Sequence, residues 1–218
     1  MSALAPLAGC QFIGGIAYFL GPKRVEKAEF KLAQGRVAIV VEYERPSDAS
    51  PVFDRAFHER MVEIYRDEKL AQSKAKSAVT GETEFVAPSR WADLRQSDPD
   101  SRTWSIQRIG RELDAEQVLY IRVARLQLRE TPDYPILSPQ VLLRGRVISS
   151  NEPPPHHRLW PTGPMDEGRE VSAERPPQEF SGADQIDSEV TKLARMAAYT
   201  LSRYFLDTDL EAPTPKER

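Results

Sequence analysis

Cysteine is almost absent from this chain of 218 residues, in which Cys10 is the only one. A single cysteine excludes an internal disulfide and the usual structural zinc sites, which take at least two cysteines. Excess charge of one sign is missing as well, because 30 basic and 33 acidic side chains leave a net charge of −3. Such a balance provides no general attraction to a phosphate backbone, so we expect no nucleic-acid partner.

Long hydrophobic runs are also missing. Residues 3–21 are the most apolar stretch, but Pro6, Gly9, Gly14 and Gly15 interrupt it, which disfavours a transmembrane helix. The rest of the composition, with 40% hydrophobic and 29% charged residues, is typical of a globular protein, and its length favours one domain. The 18 prolines against 11 glycines indicate long, stiff connections.

The residues around the lone cysteine form a recognisable pattern. Small residues end the apolar run in Leu7-Ala8-Gly9-Cys10, and Gln11 follows. The pattern resembles the lipobox of bacterial lipoproteins. The resemblance implies a diacylglyceryl group on the sulfur of Cys10, removal of the residues before it, and acylation of the new amino terminus. Gln11 in place of aspartate resembles lipoproteins that are sorted to an outer membrane.

The segment before Cys10 is short for a secretory signal. Only nine residues precede the cysteine and the first basic residue is Lys23, whereas a signal has a basic start and an apolar stretch of roughly 7 to 15 residues. We interpret residues 1–9 as the remnant of a truncated signal peptide and residues 10–27 as a lipid-anchored tether. The alternative is that residues 3–21 form an apolar hairpin or core segment with Cys10 buried in it.

The first half of the remaining chain predicts alternating strands and helices. Arg36–Tyr43 is apolar on both faces, as expected of a central strand. Ser50 and Pro51 can begin an amphipathic helix, and Ser89 can cap a short one after a strand at 83–87. A further helix repeats apolar residues at three-residue and four-residue spacing: Ile106, Ile109 and Leu113.

The second half predicts a hairpin and a final helix. Val118–Leu128 changes its inward phase after Val123, which indicates a bulge, and Gln140–Ser149 returns beside it as an antiparallel strand. Residues 151–180 are rich in proline and irregular, and Asp187 can cap the last helix. The sequence therefore predicts an α/β fold: a single three-layer-like sandwich with a mixed sheet of four or five strands, over residues 28–206, and a disordered tail at 207–218.

One stretch of this pattern carries a family resemblance. Ile109-Gly110 is followed by Leu113, Ala115 and Val118-Leu119, where a helix ends beside a strand. The motif resembles the anticodon-binding-like periplasmic domain of bacterial lipoproteins, a group that includes the curli-secretion lipoproteins, the amino-terminal domain of TolB and the lipoprotein activators of penicillin-binding proteins. The resemblance implies an α/β domain in the cell envelope. Gly110 and Ala115 would allow the helix to approach the sheet closely.

No common catalytic or cofactor-binding motif occurs in the sequence, so we expect no catalytic residues and no cofactor. His58 is expected at a helix surface or boundary, and the adjacent His156 and His157 point in different directions on an extended chain, which disfavours a metal. The best candidate for a ligand or partner surface is a set of arginines on the hairpin: Arg122, Arg125, Arg129, Arg144 and Arg146. The alternative interpretation is that these arginines form a solvated face with ion pairs. Trp160 is either an interface anchor or a cover for the end of the sheet.

These observations predict a non-catalytic, lipid-anchored envelope protein whose α/β domain binds or scaffolds another envelope protein. The periplasmic face of the outer membrane is favoured over the inner membrane. The alternative is a small ligand-binding protein or hydrolase with a cleft near residues 151–180, which would require titratable groups that converge in a pocket.

Overall fold

A computed structural model describes residues 25–74, 83–131, 133–163 and 167–209, so the predicted lipobox with Cys10 lies outside the described residues. The elements in chain order are β1 (Val25–Glu26), β2 (Gly35–Tyr43), α1 (Pro51–Lys74), β3 (Thr83–Phe85), α2 (Pro88–Ser97), α3 (Ile106–Glu112), β4 (Gln117–Gln127), β5 (Ile136–Leu137), β6 (Gln140–Ser149), β7 (Arg158–Trp160), β8 (Arg169–Glu174), β9 (Gln178–Glu179), α4 (Ala183–Ser202) and β10 (Thr208–Asp209).

Six strands form one mixed sheet in the order β3-β2-β4-β6-β7, and β8 also pairs with β6. β2 runs parallel to β3 and β4, whereas β6 is antiparallel to β4, β7 and β8. β7 pairs with Val147 and Ile148 of β6, and β8 pairs with the stretch from Gln140 to Gly145, so the two short strands follow one another along one side of β6. The mixed α/β fold with its hairpin is confirmed, and the sheet has six strands where four or five were expected.

The first halves of β2 and β4 are apolar on both faces, and each face has its own helical cover. On one side α1 and α4 pack over β2 residues such as Ile39 and Val41. On the other side α2 and α3 cover Ala38 and Val40, which are 1% and 0% exposed. The two hydrophobic clusters lie on opposite faces because successive strand side chains alternate. This is the three-layer arrangement that the sequence predicts.

The structure confirms one of the predicted helix starts and corrects two others. The Ser50 hydroxyl accepts a hydrogen bond from the Phe53 amide at 3.3 Å at the start of α1, as expected of a cap. The prediction that Ser89 caps α2 is wrong, because the helix begins one residue earlier at Pro88, whose fixed φ suits a first helical position. The prediction for Asp187 is also wrong, because α4 already begins at Ala183 and Asp187 lies within it.

The predicted bulge is confirmed. The pairing of β4 with β6 shifts its register between Val123 and Arg125, so Ala124 is the extra residue on β4. After the shift Arg125 pairs with Leu142. Leu126 is then the β4 residue that points inward, and it packs against the hydrophobic cluster under α1 and α4.

The two ends of the described chain meet on the α4 side of the sheet. β1 pairs antiparallel with β10, just outside the predicted bounds of 28–206. We call residues 25–34 the N-terminal strap. Its Glu29 carboxylate accepts hydrogen bonds from Arg169 at 2.6 Å and from the Trp160 indole at 3.3 Å, and Asp207 accepts one from the Ala28 amide at 2.9 Å. Among the described helices, none has the length and apolarity needed to span a membrane.

The close approach of α3 to the sheet at Gly110 provides the first prediction. A Cβ at this position would meet the Ser150 hydroxyl and lie 2.7 Å from the Val118 methyl Cγ2. We expect Gly110→Ala to lower the free energy of unfolding by about 1–3 kcal/mol, because overpacking outweighs the gain in helix propensity. Urea denaturation measures the change. Adding Ser150→Ala should restore part of the loss, and a Gly110→Ala protein as stable as wild type would contradict the close approach.

Candidate interaction surface

The outer half of one sheet face carries charged side chains in place of apolar ones. Along β4 the side chains on this face change from Val118 and Tyr120, which α2 and α3 cover, to Arg122, which is exposed. The residues between them, such as Ile121, stay buried on the opposite face. We call this surface the charged face and define it by Glu42, Glu44, Arg122, Arg125, Arg144, Arg146 and Glu170.

Strand pairing places two like charges directly opposite each other at its centre. Arg122 of β4 faces Arg144 of β6, a pairing that is unfavourable by itself. Glu44, in the bend after β2, bridges the pair, because its Oε1 lies 3.2 Å from Arg122 Nε and 3.4 Å from Arg144 Nη1. One carboxylate thus reduces the repulsion between the two guanidinium groups and fixes their positions.

Arg144 has further carboxylates on its other side. Its Nη1 lies 2.7 Å from Glu167 Oε2, and its Nε lies 3.6 Å from Glu170 Oε2 on β8. The network therefore connects the bend after β2, two central strands and β8. Because these side chains are partly exposed, each pair adds little to stability, and the network acts mainly to hold the charges in place.

Arg146 and Tyr120 form a second pair on this face. The guanidinium carbon of Arg146 lies 4.6 Å from the centroid of the Tyr120 ring, and the Tyr120 hydroxyl donates a hydrogen bond to Glu42. Burial, together with this hydrogen bond, raises the pKa of Tyr120 to about 12, so the phenol stays protonated at neutral pH. Four of the five arginines singled out in the sequence therefore share one face, among carboxylates that balance their charge.

The remaining two predicted surface residues lie elsewhere. Arg129 follows the end of β4, and its guanidinium carbon is 3.8 Å from the centroid of the Phe180 ring. Trp160 is only 2% exposed and packs against Tyr204 and Phe205, with ring centroids 5.5 Å and 4.9 Å away. Trp160 therefore covers the end of the sheet and is not part of the charged face.

The histidines do not come together in the described chain. His58 is buried on α1, with Nε2 3.0 Å from the carbonyl oxygen of Val86, and burial lowers the pKa of the His58 imidazole. His156 is exposed in the proline-rich segment. Within the described ranges, no group of three or more His, Cys, Asp or Glu side chains is arranged to hold a metal ion.

The sequence reasoning did not find one buried carboxylate, Glu189, and one partly buried carboxylate, Asp54. Glu189 on α4 is 1% exposed, and its oxygens lie 2.6 Å from Lys192 Nζ and 3.2 Å from Arg175 Nε. Asp54, in the first turn of α1, accepts a 2.6 Å hydrogen bond from the Tyr43 hydroxyl. Lys192 follows Glu189 by three residues on α4, a spacing that the sequence shows, whereas Arg175 and Tyr43 lie on other segments and reach these carboxylates only through the fold.

Comparison with known proteins assigns no family. No family model and no curated protein matches the chain. Among solved structures, a PelC dodecamer from Paraburkholderia phytofirmans is 14% identical, covers 85% of this chain and 99% of its own, and has a TM-score of 0.35. Lipoprotein GNA1162 from Neisseria meningitidis is 13% identical, with 75% and 98% coverage and a TM-score of 0.35.

A third solved structure, the hypothetical protein CT253 from Chlamydia trachomatis, is 16% identical, with coverage of 79% of this chain and 98% of that chain and a TM-score of 0.38. Similarity at this level assigns neither a family nor an activity. The resemblance to the anticodon-binding-like domain, drawn above from the motif around Gly110, stays a prediction.

The partly buried Asp54 provides a prediction about pH. Burial raises the pKa of its carboxyl from the ordinary 3.8 to about 6. The folded state thus favours the protonated form, whose contribution to stability is complete below pH 3.8 and is lost as the pH rises through 6. Asp54→Asn keeps an acceptor for Tyr43 without a charge, so at pH 7 it should be about 1–2 kcal/mol more stable than wild type.

Urea denaturation between pH 4 and pH 7 measures this difference. The stabilisation of Asp54→Asn should shrink towards pH 4, whereas the exposed control Asp93→Asn on α2 should follow wild type at every pH. A difference between Asp54→Asn and wild type that is the same at all pH values would contradict the burial of an ionisable carboxyl.

Proposed function

We propose that this chain is a lipid-anchored protein of the bacterial cell envelope whose α/β domain binds another envelope protein through the charged face. The anchor is Cys10, and the domain acts as a binding or scaffolding module rather than as an enzyme. The periplasmic face of the outer membrane is the proposed location. The lipobox pattern in Leu7-Ala8-Gly9-Cys10 supports the anchor, because two or more acyl chains hold a domain at a bilayer where one chain binds only marginally.

The position of the N-terminal strap supports a domain that is anchored on its α4 side, with the charged face turned away from the anchor. The strap enters the domain on the α4 side, where Glu26 pairs with Arg203 at 2.8 Å and Glu29 pairs with Arg169. The charged face lies on the opposite side of the sheet. A tether that leaves from the α4 side therefore keeps the charged face away from its own entry point and accessible to a partner.

The single observation that supports the binding role is the half of the sheet face that no described helix covers. A sheet face is usually covered by helices or solvated by unconstrained polar residues. Here Glu44, Arg122 and Arg144 are held by mutual contacts while remaining 30%, 48% and 24% exposed. Charges that are already fixed in place lose little side-chain entropy when a complementary surface binds, and they favour specific partners.

Mutation of the proposed anchor tests the location. In bacteria that express the full chain, wild type should sediment with membranes and be released by detergent, and Cys10→Ser should appear in the soluble fraction because it cannot be acylated. Gln11→Ser, which keeps the cysteine, is the matched control and should stay with membranes. Cys10→Ser that sediments wholly with membranes would rule out this anchor.

Site-specific photo-crosslinking tests the binding role. A photoreactive residue in place of the exposed Arg125 on the charged face should form a discrete crosslinked species in intact cells. The same replacement at the exposed Arg55 on α1, on the other side of the sheet, should form none. Equal crosslinking at both positions, or none at Arg125, would show that the charged face is not the binding surface.

A further inference from the structure

We propose that the outer edge of β8 binds an extended basic segment of a protein partner, which adds to the sheet as a further strand. The inference deepens the binding role proposed above and rests on it. The binding place is the outer edge of β8, at the border of the charged face, and the partner segment is basic.

Within the described ranges, the backbone of β8 has one side without a neighbouring strand. In the described chain β8 pairs only with β6. The amide of Arg175 donates to the Pro139 carbonyl at 2.9 Å, which continues this ladder. Antiparallel hydrogen bonding alternates along a strand, so Val171 and Ala173 direct their N–H and C=O groups towards β6. Glu170, Ser172 and Glu174 direct theirs away from β6. We call these three residues the β8 edge.

The side chains of the β8 edge are all exposed, and two of the three are glutamates. Glu170, Ser172 and Glu174 are all exposed, while Val171 and Ala173 between them are 3% and 6% exposed. Glu167 lies beside the same border, 69% exposed at its side chain, and Glu170 is 58% exposed. Three carboxylates thus border the open edge, and Arg144, 24% exposed, is the nearby cation that contacts two of them.

This charge distribution selects a basic partner over a second copy of the chain. If two β8 strands paired antiparallel over their full length through their free sides, Glu170 of each copy would lie opposite Glu174 of the other. Like charges directly opposite each other destabilise a sheet. A foreign strand with lysine or arginine at two positions four residues apart would instead place a cation opposite each glutamate and a small residue opposite Ser172.

Strand addition also explains why the edge carries charge rather than apolar residues. Charged residues on an edge strand prevent indiscriminate pairing with other chains. A partner that compensates those charges is accepted, because its main chain supplies the hydrogen bonds and its alternate side chains supply the selectivity. The opposite edge of the sheet, β3, is three residues long and carries a single glutamate, Glu84, which is exposed.

The test uses the full chain in detergent, with the synthetic peptide acetyl-Lys-Val-Thr-Val-Lys-Val-Thr-amide as the probe. In the free protein the amides of the β8 edge should exchange with solvent fast, and those of Val171 and Ala173 slowly, as measured by NMR hydrogen exchange. Adding the peptide should slow exchange at the β8 edge by at least tenfold. A peptide with glutamate in place of lysine should leave exchange there unchanged.

Matched variants locate the binding. Glu174→Lys should weaken peptide binding at least tenfold by calorimetry, whereas Glu84→Lys on the opposite edge should bind like wild type. The inference is overturned by slow exchange at Glu170, Ser172 and Glu174 in the free protein, by the absence of peptide binding, or by equal affinity of the two variants. Each of these results would leave the fractionation of Cys10→Ser and the crosslinking at Arg125 unaffected, so failure of this inference and failure of the proposed function are distinguishable.

Discussion

The architecture depends on one requirement, that both faces of the two central strands be covered. β2 and β4 carry apolar residues on both sides through their first halves, and an uncovered apolar face costs roughly 25 cal/mol for each Å² left in water. Two long helices, α1 and α4, pack over one face. Among the described elements, the shorter helices α2 and α3 cover the other face, with 10 and 7 residues. Where their cover ends, the sequence changes from apolar side chains to the charged face.

The charged face results from the pairing of the strands as much as from the charged residues that the strands carry. Register places Arg122 opposite Arg144, and that pair is tolerable because Glu44 lies between the two guanidinium groups. The arginines that stand out in the sequence do not form a cationic patch, since carboxylates from three separate segments accompany them. A surface of fixed, alternating charges discriminates among partners by sign and position, which is a different property from attraction to any polyanion.

The sequence predicted most of the fold because the decisive signals are local. Apolar residues on both faces identify β2, and the phase change after Val123 identifies the bulge. Helix starts at Ser89 and Asp187 were misplaced because Pro88 and Ala183 begin their helices without a side-chain cap hydrogen bond, which leaves no cap residue to recognise. Propensity at a helix start is a weak signal that tertiary packing overrides.

The candidate surface was predictable only in part, for a physical reason. Alternation along β4 and β6 shows which arginines share a face, but not which carboxylates reach them, since Glu44, Glu167 and Glu170 arrive through long-range pairing. In the same way, burial of Trp160 depends on α4 and the strap meeting at the end of the sheet. The β8 edge required the register of β8 on β6, which no sequence period encodes.

The position of the strap bears on the proposed lipid anchor. The first described residues are tied to the end of α4 and to β8, so a tether attached there carries the domain by its α4 side. The proposed anchoring therefore depends on what is bonded to Cys10. Intact-mass spectrometry of the protein purified from bacterial envelopes tests this directly. A chain that begins at Cys10 and carries the added mass of a diacylglyceryl group, with or without an amide-linked acyl chain, agrees with the account. An unmodified chain that retains residues 1–9 would contradict it.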